Sequence, residues 1–323
     1  MRAVVCPELG PLETLVTEEQ ATPTPGQGQV VVDIRSAGVN FVDGLICQGR
    51  YQIKPPTPFV PGSEIAGVVS AVGPGVDAPA VGDRVIAFVG FGGFADQVVV
   101  PALSLVPMPD SLDFARGAAL IQSYATMLFT LTRRTALAPG EWVLVLGAGG
   151  GVGLAATDVA TALGARVIAA ASTRGKLEAA VAMGAEATIA YEDEDLKTRA
   201  RELSDGGVDV VVDPVGGRHS EPALRATRHL GRFCVLGFAS GPIASIPLNQ
   251  VLLNNRTLVG VDWGGWTFKD PFGNRDLIAR LMEMVGAGQL HPVEPAAFPL
   301  EQAAAVMTGL LDRTIGGKAV LVP

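Results

Sequence analysis

The stretch Val143-Leu144-Val145-Leu146-Gly147-Ala148-Gly149-Gly150-Gly151-Val152-Gly153 decides the fold. An unbroken apolar run reads as a strand buried on both faces, and Val152 to Leu163, closed by Gly164, reads as a helix. A glycine cluster between a buried strand and a helix start lets the backbone turn sharply and approach a pyrophosphate. There the unpaired N–H groups and the positive end of the helix dipole favour negative charge. Gly147, Gly150, Gly151, Val152 and Gly153 are therefore candidate dinucleotide-binding residues. A lone glycine run also serves helix–strand packing, so the reading depends on the surrounding pattern.

That pattern agrees. Strand Trp142 to Leu146 is followed by strand Val167 to Ala171, helix Lys176 to Met183 closed by Gly184, strand Thr188 to Tyr191 and helix Glu194 to Leu203. Strands Val208 to Asp213, Phe233 to Gly237 and Thr257 to Val261 continue the series, which predicts a parallel sheet covered on both faces. Before Pro109 the texture is different, with short strands (Val30 to Ile34, Ile65 to Val72, Arg84 to Val89, Ala95 to Val100) between Pro-Gly and Gly-Asp turns. Ser111 to Leu131 is helical in spacing and holds the domain boundary. Beyond Trp263, helices Arg275 to Val285 and Leu300 to Leu311 precede a terminal strand, Lys318 to Val322. The expected division is 1–122, 123–262 and 263–323, with the last segment rejoining the first.

Composition excludes several function classes. The 323 residues carry 24 basic and 32 acidic side chains, a net charge of −8, which argues against a nucleic-acid partner. Hydrophobic residues at 48% supply a core, which excludes wholesale disorder. The least polar stretch, Trp142 to Thr157, is interrupted by five glycines and stopped by Asp158, so no membrane span is expected. Pro7 and Glu8 interrupt the first apolar residues, leaving no secretory leader, and the expected address is cytoplasmic. Cys6, Cys47 and Cys234 form no framework and no C-x-x-C pair.

The end of the second parallel strand discriminates between nicotinamide cofactors. No Asp or Glu stands there to bond ribose hydroxyls. Ser172-Thr173-Arg174-Gly175-Lys176 instead offers hydroxyl and cationic donors suited to a ribose 2′-phosphate, with Ser172, Arg174 and Lys176 as the candidates. NADPH is preferred over NADH. Phe238, after Gly237 at the end of a late parallel strand, lies at the edge where ligands bind in such sheets. Trp263, Trp266 and Phe268 suit either an apolar wall or plain core.

The chain resembles the zinc-free quinone oxidoreductase branch of the medium-chain dehydrogenases and reductases nearly end to end. The likeness is carried by Ala37-Gly38-Val39-Asn40-Phe41-Val42-Asp43, Pro61-Gly62-Ser63-Glu64-Ile65-Ala66-Gly67-Val68-Val69, Gly82-Asp83-Arg84-Val85, the glycine cluster, Asp213-Pro214-Val215-Gly216-Gly217 and Gly316-Gly317-Lys318. It implies an α/β fold in which a GroES-like, mainly β catalytic domain contains an inserted Rossmann domain with a doubly wound parallel sheet. It also implies a homodimer, since relatives commonly pair through the last Rossmann strand. Where zinc relatives carry Gly-His-Glu this chain reads Gly62-Ser63-Glu64, and Asn40 replaces a ligand cysteine. The structural-zinc lobe is absent too, and His219, His229 and His291 lie outside any zinc motif, so no metal is expected.

Without a Lewis acid to stabilise an alkoxide, alcohol oxidation is a poor assignment, whereas a quinone or enone accepts hydride into a conjugated system. The protein must then position donor and acceptor and bond the developing oxyanion. By resemblance Asn40 and Tyr51 lie near nicotinamide and substrate, and Leu45 replaces a tyrosine found in many relatives. Tyr124 and Thr126 lie in the segment that crosses between domains, and Tyr191 resembles the tyrosine near the adenosine phosphate. Lys318, in the Gly-Gly-Lys motif, is placed with the cofactor-binding residues. Asn40, Tyr51 and Tyr124 are the catalytic candidates. The other readings are enoyl-thioester reduction and NADPH binding without catalysis.

Overall fold

The apolar runs of the second half form one parallel sheet in the computed structural model, which describes residues 1–323. In chain order the strands are β1 (Arg2–Val5), β2 (Val16–Glu19), β3 (Gln29–Val39), β4 (Glu64–Val72), β5 (Arg84–Phe88), β6 (Gln97–Pro101), β7 (Leu105–Pro107), β8 (Trp142–Leu146), β9 (Arg166–Ala171), β10 (Ala187–Ala190), β11 (Val208–Asp213), β12 (Thr227–Val235), β13 (Thr257–Gly260), β14 (Ala296–Pro299) and β15 (Ala319–Val322). The helices are α1 (Phe41–Cys47), α2 (Phe114–Ala118), α3 (Ile121–Leu128), α4 (Gly151–Ala162), α5 (Glu178–Ala182), α6 (Leu196–Leu203), α7 (Ser220–Ala226), α8 (Asn249–Leu252), α9 (Trp263–Lys269), α10 (Pro271–Gly286) and α11 (Ala303–Leu311). The chain divides into two units, Met1–Gln122 with Pro292–Pro323, and Ser123–His291.

In the second unit the strands lie in the order β10-β9-β8-β11-β12-β13, all parallel. This is the doubly wound Rossmann order, and its direction reverses between β8 and β11, where such sheets open a ligand crevice at the carboxyl ends of the strands. Every residue of β8 is buried, as its uniform apolar sequence requires. Sequence reading passed from β11 directly to β12. The structure inserts α7 there, because parallel neighbours need a crossover. With only seven residues and Pro222 in its first turn, α7 has too little periodic pattern to read.

The first unit is a mixed sheet in the order β14-β15-β3-β4-β5-β7, with β6 paired to β3, beside the small β1–β2 ladder. Its core gathers Val30, Val32, Ile65, Val85, Phe94, Val306, Met307 and Leu321. Strands β14 and β15 join the free edge of β3, which is how the C-terminal segment completes a sheet begun nearly 300 residues earlier. Sequence reading missed α1 in this region. Its N-terminus is set by Asn40, whose backbone N–H donates to Asp43 Oδ2 at 2.8 Å.

The division differs from the expected one over 263–291. These residues lie in the second unit, where Trp266 stacks on Phe129 with ring centroids 4.6 Å apart and Leu277, Ile278 and Leu281 of α10 are buried. The amphipathic stripe of α10 shows that it must cover something, but its periodicity does not say which sheet it covers. The stretch expected to be one helix over 111–131 is α2, a break at Ala119–Leu120, and α3 running into a π-type turn, Phe129–Arg134.

Candidate active site

In the second unit, β8 is followed by Gly147, whose φ of +61° is a left-handed conformation that glycine adopts without cost. Gly150 caps α4 with extended backbone and no side-chain acceptor, so the first-turn amides of Gly151, Val152 and Gly153 have no capping partner. A Cβ on Gly153 would stand 2.6 Å from Ala148 Cα, so this position serves close packing of helix on loop, whereas a Cβ on Gly150 would meet nothing nearer than 3.4 Å. The open face at Gly150 and the free amides of a twelve-residue helix could hold an anion.

Across the reversal point, buried Asp213 at the end of β11 fixes the adjoining loop. Its Oδ1 accepts from the N–H groups of Val215 (2.9 Å) and Gly216 (2.8 Å), and its Oδ2 accepts from Ser220 Oγ (2.6 Å). Phe238 lies over Gly216, where an added Cβ would come within 2.9 Å of the Phe238 ring, and Ala239 N–H donates to the Pro214 carbonyl. Gly237 carries that turn, and Phe238 is 39% exposed. At the end of β9, Ser172 is half-buried, while Arg174 and Lys176 are exposed and make no ion pair. These two unpaired cations beside the glycine turn suit a phosphate. Tyr191, just past β10, packs on His219 with ring centroids 4.2 Å apart.

The crossing segment holds Tyr124 and Thr126. Tyr124 is buried, and its hydroxyl donates to Asp158 Oδ2 at 2.9 Å, in the middle of α4. The same carboxylate oxygen accepts from the backbone N–H of His291 at 2.7 Å. Burial first, then the negative charge of Asp158, pushes the Tyr124 phenol further above its ordinary range. A phenol held in this way has its proton committed to Asp158. Thr126, on α3, is half-buried and its carbonyl accepts from Thr130 Oγ1. Trp263 is buried, Trp266 is stacked on Phe129, and Phe268 is exposed.

The first unit holds a polar cluster at the ends of β3, β4 and β15. Asn40 Nδ2 donates to Glu64 Oε1 (3.0 Å), and Lys318 Nζ donates to both Asn40 Oδ1 (2.7 Å) and Glu64 Oε1 (2.8 Å). Glu64 Oε2 accepts from the backbone N–H of Gln122 at 2.8 Å, and Ser63 Oγ donates to Gln122 Oε1 at 2.7 Å. Register explains the assembly. Ala319 pairs with Val39, which sets Lys318 beside Asn40, and Gly38 pairs with Glu64 and leaves room for its side chain. Asp43, beneath them, is buried, and its carboxyl is pushed up to about 7, first by desolvation and then by Glu64, against the opposing Asn40 N–H. Tyr51 is half-buried beyond α1.

Sequence reading named Asn40 and Lys318 but did not bring them together, and it passed over Glu64, Asp43, Ser63 and Gln122 as site residues. The available signal was Gly38 inside a strand, a mark of close approach. The residues at the zinc-ligand positions of the zinc relatives do not fit that metal. Asn40 is an amide already bonded on both ends, Ser63 is a hydroxyl, and an ammonium stands against Glu64. No three His, Cys, Asp or Glu side chains gather closely enough to hold a metal ion.

Comparison with known proteins gives two family matches, the alcohol dehydrogenase GroES-like domain over residues 26–110 and the zinc-binding dehydrogenase family over 151–281. The chain is 40% identical to the quinone oxidoreductase-like protein 2 homolog of Nematostella vectensis, across 99% of this chain and 88% of that one. Among solved structures it is similar to the quinone oxidoreductase of Thermus thermophilus, solved also with NADPH, at 34% identity and a TM-score of 0.87 over the full length of both chains. It is also similar to the Escherichia coli quinone oxidoreductase in complex with NADPH, at 28% identity and a TM-score of 0.89, again over the full length of both.

Proposed function

Since the chain belongs to the quinone oxidoreductase branch of the medium-chain dehydrogenases and reductases, we propose that it is an NADPH-dependent reductase of quinones or related α,β-unsaturated carbonyl compounds that works without zinc. The observation that carries the reading is the Asn40–Lys318–Glu64 cluster, in which the amide and the ammonium are hydrogen-bond donors and Asn40 stands where zinc relatives carry a ligand cysteine.

NADPH fits the residues present. The free amides of Gly151, Val152 and Gly153 hold its pyrophosphate, and Arg174 and Lys176, with Ser172 beside them, hold its 2′-phosphate. Tyr191 packs near the adenosine phosphate and Phe238 lines the ring pocket. When bound, the cofactor supplies a hydride from its reduced nicotinamide ring. The protein orients the acceptor, keeps water from the exposed ring faces and presents hydrogen-bond donors to the acceptor oxygen as charge moves onto it. The Asn40–Lys318–Glu64 cluster supplies those donors, with Tyr51 as a further contact, and the proton comes from solvent.

The working form is a homodimer paired through β13. That strand has a sheet neighbour on one side only, and Leu230, Leu252, Leu253 and Leu258 around it are exposed. Light scattering of wild type and Leu258→Lys tests the dimer, and a monomeric wild type sinks it.

The function is tested by following NADPH oxidation with 1,4-benzoquinone, a naphthoquinone and crotonyl-CoA, with NADH as control and with added chelator. Turnover of the quinones, little with the thioester and no effect of chelation are expected. Turnover restricted to crotonyl-CoA, or activity lost on chelation, overturns the reading. No helix is long and apolar enough to cross a membrane.

A further inference from the structure

The ammonium of Lys318 has three N–H donors, and two are committed, to Asn40 Oδ1 and to Glu64 Oε1. One remains. Within the cluster the Glu64 side chain is 1% exposed and the Lys318 side chain 9%, so the carboxylate is sealed and the lysine is the more accessible of the pair. The other polar atoms around it are spent. Asn40 Nδ2 donates to Glu64 and Ser63, and the Ser63 hydroxyl donates to Gln122.

The carboxylate compensates the ammonium for its loss of water, and because Glu64 also accepts from Gln122 N–H and Asn40 Nδ2 its charge is shared among three donors. A cation fixed by two short hydrogen bonds, with its stem held at the start of β15, needs no reorganisation when negative charge appears beside it. That is the condition under which a donor stabilises a transition state more than a ground state.

We propose that Lys318 is the electrophile of this enzyme, its third N–H binding the acceptor's carbonyl oxygen and stabilising the oxyanion that forms there, the task a metal performs in zinc relatives. The proposal rests on the reductase reading above. In the step, the acceptor gains a hydride at a conjugated carbon, the displaced π pair moves onto the carbonyl oxygen, and that oxyanion is held by Lys318 until one solvent proton neutralises it. Two electrons and one proton arrive with the hydride and the second proton comes from water; in a quinone the carbon that took the hydride then releases a proton to water while the other carbonyl oxygen takes one, and the product leaves as its hydroquinone. Lys318 stays protonated throughout. Asn40 and Glu64 act through it as positioning residues.

The test uses Lys318→Met, which removes the cation and keeps the stem, and Lys318→Arg, which keeps the cation in a different geometry. 4-Nitrophenol serves as a stable oxyanion probe, and its ionisation is read by phenolate absorbance on full-length protein saturated with NADP+. Wild type is expected to hold the probe ionised at least tenfold more than bulk water at the same pH. Lys318→Met is expected to lose that excess, and Lys318→Arg to keep part of it. In steady state, Lys318→Met lowers kcat for quinone by roughly 100- to 1000-fold, the usual cost of one oxyanion donor. Its Kd for NADPH, from cofactor fluorescence, stays within about threefold, the range in which an oxyanion donor and a cofactor ligand are told apart.

Equal phenolate binding by wild type and Lys318→Met overturns the proposal. So does a kcat loss matched by an equal loss of NADPH affinity, which would make Lys318 a cofactor ligand. Should Lys318→Met fail to fold, the comparison of Lys318→Arg with wild type decides, since an identical probe signal removes the geometric argument. The probe requires no turnover, so a wild type that reduces no quinone refutes the reductase reading while the phenolate result still judges Lys318.

Discussion

Replacing Tyr124 by Phe removes one oxygen and leaves the ring volume unchanged, so no cavity forms. The lost group is the donor 2.9 Å from Asp158 Oδ2, a carboxylate in the middle of α4 between buried Thr157 and Val159. His291 N–H, at 2.7 Å, is then the one strong donor left, because His291 Nδ1 stands 3.4 Å from the other oxygen. A hydrogen bond to a buried charged group contributes about 1.5–3 kcal/mol, and for a unit of this size each kcal/mol moves the melting temperature by about 2–4 °C. The variant should therefore melt roughly 3–12 °C lower, by calorimetry at neutral pH. Its kcat with a quinone should stay within about twofold of wild type, because a phenol pushed upward by burial and by Asp158 is a poor acid near neutrality. A kcat loss of about 100-fold with unchanged melting would refute this reasoning and restore Tyr124 as a proton donor.

Three further outcomes are expected. Asp43→Asn changes the pH dependence of stability: a folded-state carboxyl at about 7 keeps a proton that the unfolded chain releases near its ordinary 3.8, so wild type loses stability as pH rises between those values and then levels off. That loss is at most roughly 4 kcal/mol, and the Asn variant should lack it, so parallel denaturation midpoints for the two proteins from pH 4 to 8 would contradict the burial argument. Arg174→Ala should raise KM for NADPH about 10- to 100-fold and leave KM for NADH within about twofold, since a charged hydrogen bond to phosphate is lost in one case alone; equal changes with both coenzymes count against the 2′-phosphate site. Gly153→Ala drives a Cβ into the backbone of Ala148, 2.6 Å away, where no side chain can yield. It should cost about 1–3 kcal/mol and weaken NADPH binding in titration calorimetry, and undiminished affinity would mean that the loop has room the geometry denies.

Legibility followed the range of the interactions. Strands Trp142–Leu146 and Val208–Asp213 were readable to the residue because short runs dominated by valine and leucine between turn signals read as buried strands in an alternating array. The glycine cluster was readable as a tight turn into a helix because positive φ, close packing and an uncapped helix start are each local requirements met by local residues. Helix α7 was not, being two turns long with a proline inside, and Asn40 could be named without any sign that it caps α1.

The sequence by itself determined the two kinds of sheet and the succession of parallel strands in the second unit, and it placed glycines after β8 and hydroxyl and cationic donors after β9. Tertiary structure alone decided that α9 and α10 pack in the second unit, that the Tyr124 hydroxyl is spent on Asp158, and that Lys318 stands against Asn40 and Glu64. Periodicity and turn chemistry act between residues a few positions apart and leave a local trace. Strand register brings together groups 278 and 254 positions apart, and no short window of sequence carries that information.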